Sequence, residues 1–336
     1  MGNLFLTGAR LFTGSFESSI YLLGSITGVP ANVNVIPAIN SNFSHHISAG
    51  LENGTVITGQ NSISHPSPPS APSITSPEDE THASGPVQED APESPRTQDR
   101  RIHQELTLHD AVEDANLPGS LPTLRKQYIT FAKTHAADLP SRISRIWYIN
   151  PYGQEIRPPV NPAVLQSLGE AGSIIYSIGS LYTSIIPCLI LRDVGAAIAG
   201  RAVPKILLLN GTTDRETRAV GMEFGARDFV RAIADACDSS RGAKGRWSDY
   251  VTHVIHLHGE STPRVEREEL AAVGVECVRI YGRKAEGSDG EGGMVYDGMA
   301  LGQALEAILG RREPRGDKVR RNTLEPVIYS PKKTGD

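Results

Sequence analysis

The stretch that most constrains this chain is KILLL at 205–209, a near-continuous apolar run. A strand with one wetted face alternates apolar and polar residues. A run without alternation belongs to a strand buried on both faces, the habit of parallel sheets flanked by helices. VTHVIHL at 251–257 is a second such run. Around these runs the pattern changes period. Residues 224–237 put Phe229, Val230 and Ile233 on one helical face, 267–273 reads as a helix, 275–281 as a strand and 299–309 as the last helix. From ISRIWYI at 143–149 onward, strands and helices alternate. That order predicts an α/β fold, Rossmann-like, with a mainly parallel sheet in three layers and right-handed crossovers. Ligands of such sheets sit outside the carboxyl ends of the strands.

Two loops fall at that edge. In SIIYSIGSLYTS at 173–184, an apolar run ends in Gly179-Ser180, and a helix pattern follows through Leu181, Ile185, Ile186, Leu189 and Ile190 to about 199. Free N–H groups at such a turn, with the helix dipole, favour an anion such as a phosphate. Ser180, Thr183 and Ser184 add hydroxyl donors. The same turn also reads as an ordinary strand-to-helix connection capped by Ser180. The loop after KILLL, NGTTDRET at 210–217, offers Asn210, hydroxyls and the carboxylates of Asp214 and Glu216. These are the clustered carboxylates of the edge, hence candidates for a metal ligand (Asp214) or a base, with loop capping as the plainer role. Together the loops predict one crevice for a phosphate or nucleotide. His45 and His46 read as a polar pocket wall rather than a metal pair, because neighbouring residues of a strand face opposite ways. His256 and His258, opposite His253, read as polar groups of the sheet edge.

Residues 3–27 read as helical, with a restart capped near Gly14-Ser15; NVNVI at 32–36 alternates like a strand ended by Pro37; 47–59 is a hairpin whose Asn53-Gly54 suits a type I′ turn. From about residue 66 to 112 proline, serine and acidic residues replace any apolar pattern, as in a disordered insertion, with Ser67, Ser76 and Ser94 each before a proline. Residues 113–140 read as a partly ordered return, and Asn161 as the N-cap of a short helix to 168. The expected organisation is therefore an α/β domain in two pieces, 1–65 and 116–310, around an insertion at 66–115, with a flexible charged tail at 311–336. The low hydrophobic content, 39%, with 6% aromatics, fits a chain that is not packed throughout. A net charge of −5 argues against nucleic acid as partner. Three scattered cysteines fit a reducing compartment. No apolar run approaches the ~18 residues of a spanning helix, and the apolar start lacks a basic segment and a cleavage site. A cytoplasmic protein with no membrane partner is the expectation, and a homo-oligomer stays open.

GNLFL at 2–6, GSFE at 14–17, GSLYTS at 179–184 with Pro187, and Asn210 after its strand resemble the 2-phospho-L-lactate transferase superfamily, which includes the bacterial gluconeogenesis factors. NFSHH at 42–46 and the proline- and serine-rich insertion are similar to its eukaryotic, fungal-type branch. The resemblance spans roughly 2–65 and 115–310. It implies a diphosphate near 179–184, with Asn3 and Asn210 as further ligand contacts beside Gly179, Ser180, Thr183 and Ser184. For transferase members it implies attack of a deazaflavin-precursor hydroxyl on a guanosine-diphosphate-activated lactyl donor, loss of GMP, and help from Mg2+. For regulator members it implies binding of a UDP-sugar without turnover. Members of the family begin with a strand and a GGTG-like loop, then an acidic loop; neither pattern occurs here. The N-terminal part of the sheet is accordingly expected to be missing, and an inactive fragment is a third alternative.

Overall fold

The computed structural model describes residues 2–41, 45–65, 120, 121, 124, 138–285 and 293–310. The expected insertion, most of the return segment, the Ser-Pro sites, residues 42–44 and the tail lie outside the described residues.

Helix α1 (Gly2–Thr13) stops at Gly14, and α2 (Phe16–Thr27) begins at Ser15, whose side chain accepts the Ser18 N–H. The expected restart is thus present. NVNVI is not a strand. Val33 and Val35 are 50% and 57% exposed, so the alternation has no buried face to serve. The chain joins the fold at Ala38, whose carbonyl accepts the Asn161 N–H at 2.9 Å, and at Ile39, which bridges Val160.

Strands β1 (His46–Leu51) and β2 (Val56–Thr58) form the expected hairpin, followed by the short helix α3 (Gln60–Ser64). Its turn is not type I′. Gly54 has φ +85° but Asn53 does not enter the left-handed region. The Gly54 N–H donates to Leu51 O at 3.0 Å and the Leu51 N–H to Thr55 O at 2.8 Å. This is a turn closed by a glycine bulge, for which one positive φ suffices.

ISRIWYI forms β3 (Ile143–Ile149), but in a different sheet from the one expected. It pairs antiparallel with β1 and with β4 (Glu155–Ile156), giving the order β2-β1-β3-β4. After α4 (Pro162–Glu170), where the Asn161 side chain accepts the Ala163 N–H, the parallel sheet begins at β5 (Ile174–Tyr176). The helix expected to run to 199 is broken. A π segment, Leu181–Ile185, leads into α5 (Ile186–Leu189). Pro187 has no N–H to give, and a widened turn accommodates that loss. Asp193, at φ +70°, then separates α6 (Val194–Ala199). The chain continues through β6 (Lys205–Leu208), a 3-10 turn (Arg215–Thr217), α7 (Ala226–Arg241), β7 (His253–His256), α8 (Arg267–Ala272) and β8 (Glu276–Arg279). It ends in a hairpin not expected from sequence, β9 (Gly282–Lys284) with β10 (Met294–Tyr296), and in α9 (Gly298–Leu309).

Strands β5-β6-β7-β8 lie side by side in that order, all parallel. Every residue of β6 is buried, as KILLL requires. One face of this sheet joins a core shared with the antiparallel sheet: Ile47, Ala49 and Leu51 of β1, Ile146 and Tyr148 of β3, Leu207 of β6 and Phe229 and Ile233 of α7 belong to one cluster. Ala304 of α9 packs with Ile206, Leu208 and Ile255 on the opposite face. Among the described residues, α1 and α2 add nothing to either cluster. No helix among them is long and apolar enough to cross a membrane.

Candidate functional site

Because Tyr176 of β5 is in register with Leu207 of β6, the loops after both strands leave the sheet side by side. The structure therefore brings together the two loops singled out in the sequence. Asn210 Nδ2 points at the carbonyl oxygens of Ile178 and Gly179, 3.4 and 3.5 Å away. At Gly179 a Cβ would lie 2.9 Å from the Ser184 Cβ, so a side chain there would crowd the turn. Ser180 starts the π segment without a side-chain cap bond, which leaves its hydroxyl available. Thr183 is half-buried and Ser184 exposed.

Glu216 is the group that joins the loops. Its carboxylate, on a residue only 3% exposed, accepts the N–H groups of Tyr182 at 2.9 Å and Thr183 at 3.0 Å, and the Thr183 hydroxyl. The N–H groups of Tyr182 and Thr183, expected from the sequence to be free for a ligand anion, are thus taken by one of the chain's own carboxyl groups. Burial, more than any other cause, pushes the Glu216 carboxyl up to about 7; the Thr183 hydroxyl opposes the shift and Asp214 adds to it. Asp214 does different work. Its side chain accepts the N–H and hydroxyl of Thr217, at 3.2 and 3.1 Å, and caps the 3-10 turn. Among the described residues no three His, Cys, Asp or Glu side chains converge as metal ligands. Asn3 lies in the first turn of α1, where its carbonyl accepts the Thr7 hydroxyl.

A cavity of about 430 Å3 opens beside Thr183. Gln60 and Asn61 of α3, Thr183 and Pro187 of the π segment and α5, and His45, His46 and Tyr148 line it. The two histidines are therefore the pocket wall expected of them, although both line the same cavity. The Tyr148 hydroxyl donates to Pro187 O at 3.0 Å, and the His45 and Tyr148 rings meet edge to face. Burial, and after it His45, lower the proton affinity of the His46 imidazole, and its Nε2 is buried without a hydrogen-bond partner. Of the other histidines, His256 is buried with Nδ1 3.1 Å from Leu257 O, while His258 is exposed.

Sequence reasoning did not find Gln60, Asn61, Tyr148 or Arg215. Arg215 donates to the carbonyls of Ser62, at 2.9 Å, and Ile63. Gln60 and Asn61 follow Gly59, at φ +92°, so a sharp change of direction after β2 was the available signal.

The 2-phospho-L-lactate transferase CofD family model matches residues 1–286. An uncharacterized protein of Saccharomyces cerevisiae, YNL011C, is 36% identical over 274 residues, covering 76% of this chain and 59% of that protein. A putative gluconeogenesis factor of Nostoc sp. is 41% identical over 130 residues, 38% of this chain and 27% of that protein. The chain thus spans less than two thirds of the length of either relative. Among solved structures, Bacillus halodurans protein BH3568, described as a member of the UPF0052 family, superposes with a TM-score of 0.54 at 19% identity, over 92% of this chain and 71% of that one.

Proposed function

Because this chain belongs to the 2-phospho-L-lactate transferase CofD family, we propose that it binds a nucleotide-linked diphosphate beside Gly179 to Ser184. The rest of the ligand extends past Thr183 into the cavity lined by His45, His46, Gln60 and Asn61. The observation that carries this reading is the meeting of the Asn210 loop with the Gly179-Ser180 turn at the carboxyl edge of the parallel sheet. In the transferase form of the reading, the donor is guanosine-diphosphate-activated. The hydroxyl oxygen of a deazaflavin-type acceptor bonds to phosphorus, the bond to GMP breaks, and the hydroxyl proton leaves to a base. The imidazoles of the cavity wall, His45 and His46, are the candidates for that base. Such catalysis is largely positioning and charge stabilisation.

A second reading, a UDP-sugar-binding regulator without turnover, is favoured by one specific observation. Asp214 and Glu216, the carboxylates of the 210–217 loop, are both committed to internal hydrogen bonds. Ligand-dependent melting separates the readings, since a ligand of the native state raises the melting temperature. GDP stabilisation together with GMP release from the activated donor supports the transferase; a shift with UDP-sugars and none with GDP supports the regulator. Ser180→Ala removes a hydroxyl and no known internal contact. It is expected to weaken binding of the stabilising nucleotide about tenfold, the worth of one hydrogen bond to a charged group. Unchanged affinity would remove the loop from the site.

A further inference from the structure

Arg215 and Glu216 are neighbours in the chain that reach in opposite directions. Glu216 holds the start of the π segment through the N–H groups of Tyr182 and Thr183 and through the Thr183 hydroxyl. Arg215 holds α3 through the carbonyls of Ser62 and Ile63. These are carbonyls near the end of a five-residue helix, which has few internal partners for them. The turn between the two grips is itself fixed. Asp214 accepts from Thr217 at 3.2 and 3.1 Å, and the Asp214 N–H donates back to the Thr217 hydroxyl at 3.2 Å.

Both held elements line one cavity. Gln60 and Asn61 stand on the α3 side, Thr183 and Pro187 on the helix side. The two elements also come from different sheets. Helix α3 follows the antiparallel hairpin, and the π segment follows the first parallel strand. A carboxylate as buried as Glu216 is costly to keep and is not needed to fill space. Its bonds instead set where Thr183 lies.

We propose that Arg215 and Glu216 are paired positioning residues, a clasp across the 214–217 turn that fixes the spacing of Gln60 and Asn61 from Thr183. The inference rests on the nucleotide reading only for what the cavity holds; the clasp does not depend on it.

Amide hydrogen exchange on the full chain tests the clasp without any ligand. The variants are Arg215→Ala, Arg215→Lys, Glu216→Ala and Glu216→Gln. Glu216→Ala is expected to speed exchange at least tenfold at 181–184 and also at 62–65, a segment to which Glu216 makes no hydrogen bond. Arg215→Ala is expected to do the same in reverse, reaching 182–183. Glu216→Gln keeps an acceptor for the N–H groups and is expected to retain protection in both segments. Exchange that rises only on the side of the altered residue would overturn the clasp. If Glu216→Ala does not fold, Arg215→Ala and its partial rescue by Arg215→Lys decide the matter on the same segments. Binding then adds a second measure with GDP and UDP-N-acetylglucosamine as probes. Each alanine variant should lose about tenfold in affinity, and the double variant no more than either alone, because both break one device. Independent, multiplying losses would overturn the pairing. Failure of the unaltered chain to bind either nucleotide would count against the nucleotide reading and leave the exchange result to judge the clasp.

Discussion

Glu216 has three hydrogen bonds and still gives up its proton reluctantly, because burial outweighs them. The consequence for stability has a definite sign. The folded carboxyl titrates at about 7 against an ordinary 4.5, so between these values the folded chain holds a proton that the unfolded chain has lost. This contribution is full below about 4.5, falls as pH rises, and is gone above about 7; its size is on the order of 3 kcal/mol. Glu216→Gln removes the titration and keeps an acceptor. At pH 8 the variant should be more stable by on the order of 1–3 kcal/mol, and the difference should shrink as pH falls and vanish below about pH 4. Denaturant midpoints of both proteins across that range check this. The difference between the two proteins matters rather than either curve alone, because His46 and His256, whose proton affinity burial lowers, destabilise on acidification. A gap that does not change with pH would mean that Glu216 is ionised throughout. The sequence named Glu216 but not its part, since a carboxylate in a polar loop looks the same whether it faces a metal, water or a backbone N–H.

The loop after β6 shows how one element fixes another. The Met294 N–H donates to Gly211 O at 3.0 Å, and a Cβ on Gly211 would fall on the Met294 carbonyl. Gly211→Ala should therefore lift the β9–β10 hairpin and cost about 1–3 kcal/mol, read as a lowered melting temperature with faster exchange at 282–284 and 294–296. A silent substitution would show that the hairpin is not seated on this loop. At this scale the sequence was legible where local chemistry decides: the Ser15 and Asn161 caps, the glycine turn at Gly54 and the fully buried β6. It misled where partners decide. NVNVI has the period of a strand but no strand beside it among the described residues, and ISRIWYI is a strand whose neighbours are antiparallel. Periodicity reports burial on a face and carries no information about which strand lies alongside. The break at Asp193 likewise left no apolar signature, because α5 and α6 both bury their residues.

Across the whole molecule, stability should be uneven. The shared core runs through β1, β3, β6 and α7, and α7 alone buries Phe229, Val230, Ile233, Ala234 and Cys237. Helices α1 and α2 stay outside both clusters and expose Leu4, Leu11, Ile26 and Phe12, the last at 90%. Amides of α7 and β6 should exchange only through global unfolding, those of α1 and α2 orders of magnitude faster. Equal protection in all four would show that the first two helices unfold with the core. The candidate site lies between these extremes, on loops held by the stable sheet. Its location was readable from the order of strands and helices. Its cavity was not, because α3 reaches it from a part of the sequence more than a hundred residues from Thr183.

Strand β5 ends the parallel sheet on one side, and Ile175 at its centre is 42% exposed. A row of backbone donors and acceptors with an apolar side chain among them is a template for a strand from another molecule. In concentrated solution the chain should therefore accumulate light-scattering species as temperature rises, before the core melts. Ile175→Lys places a charge on that rim and should delay the scattering while moving the melting temperature little, so solubility and fold stability can be altered separately at one residue.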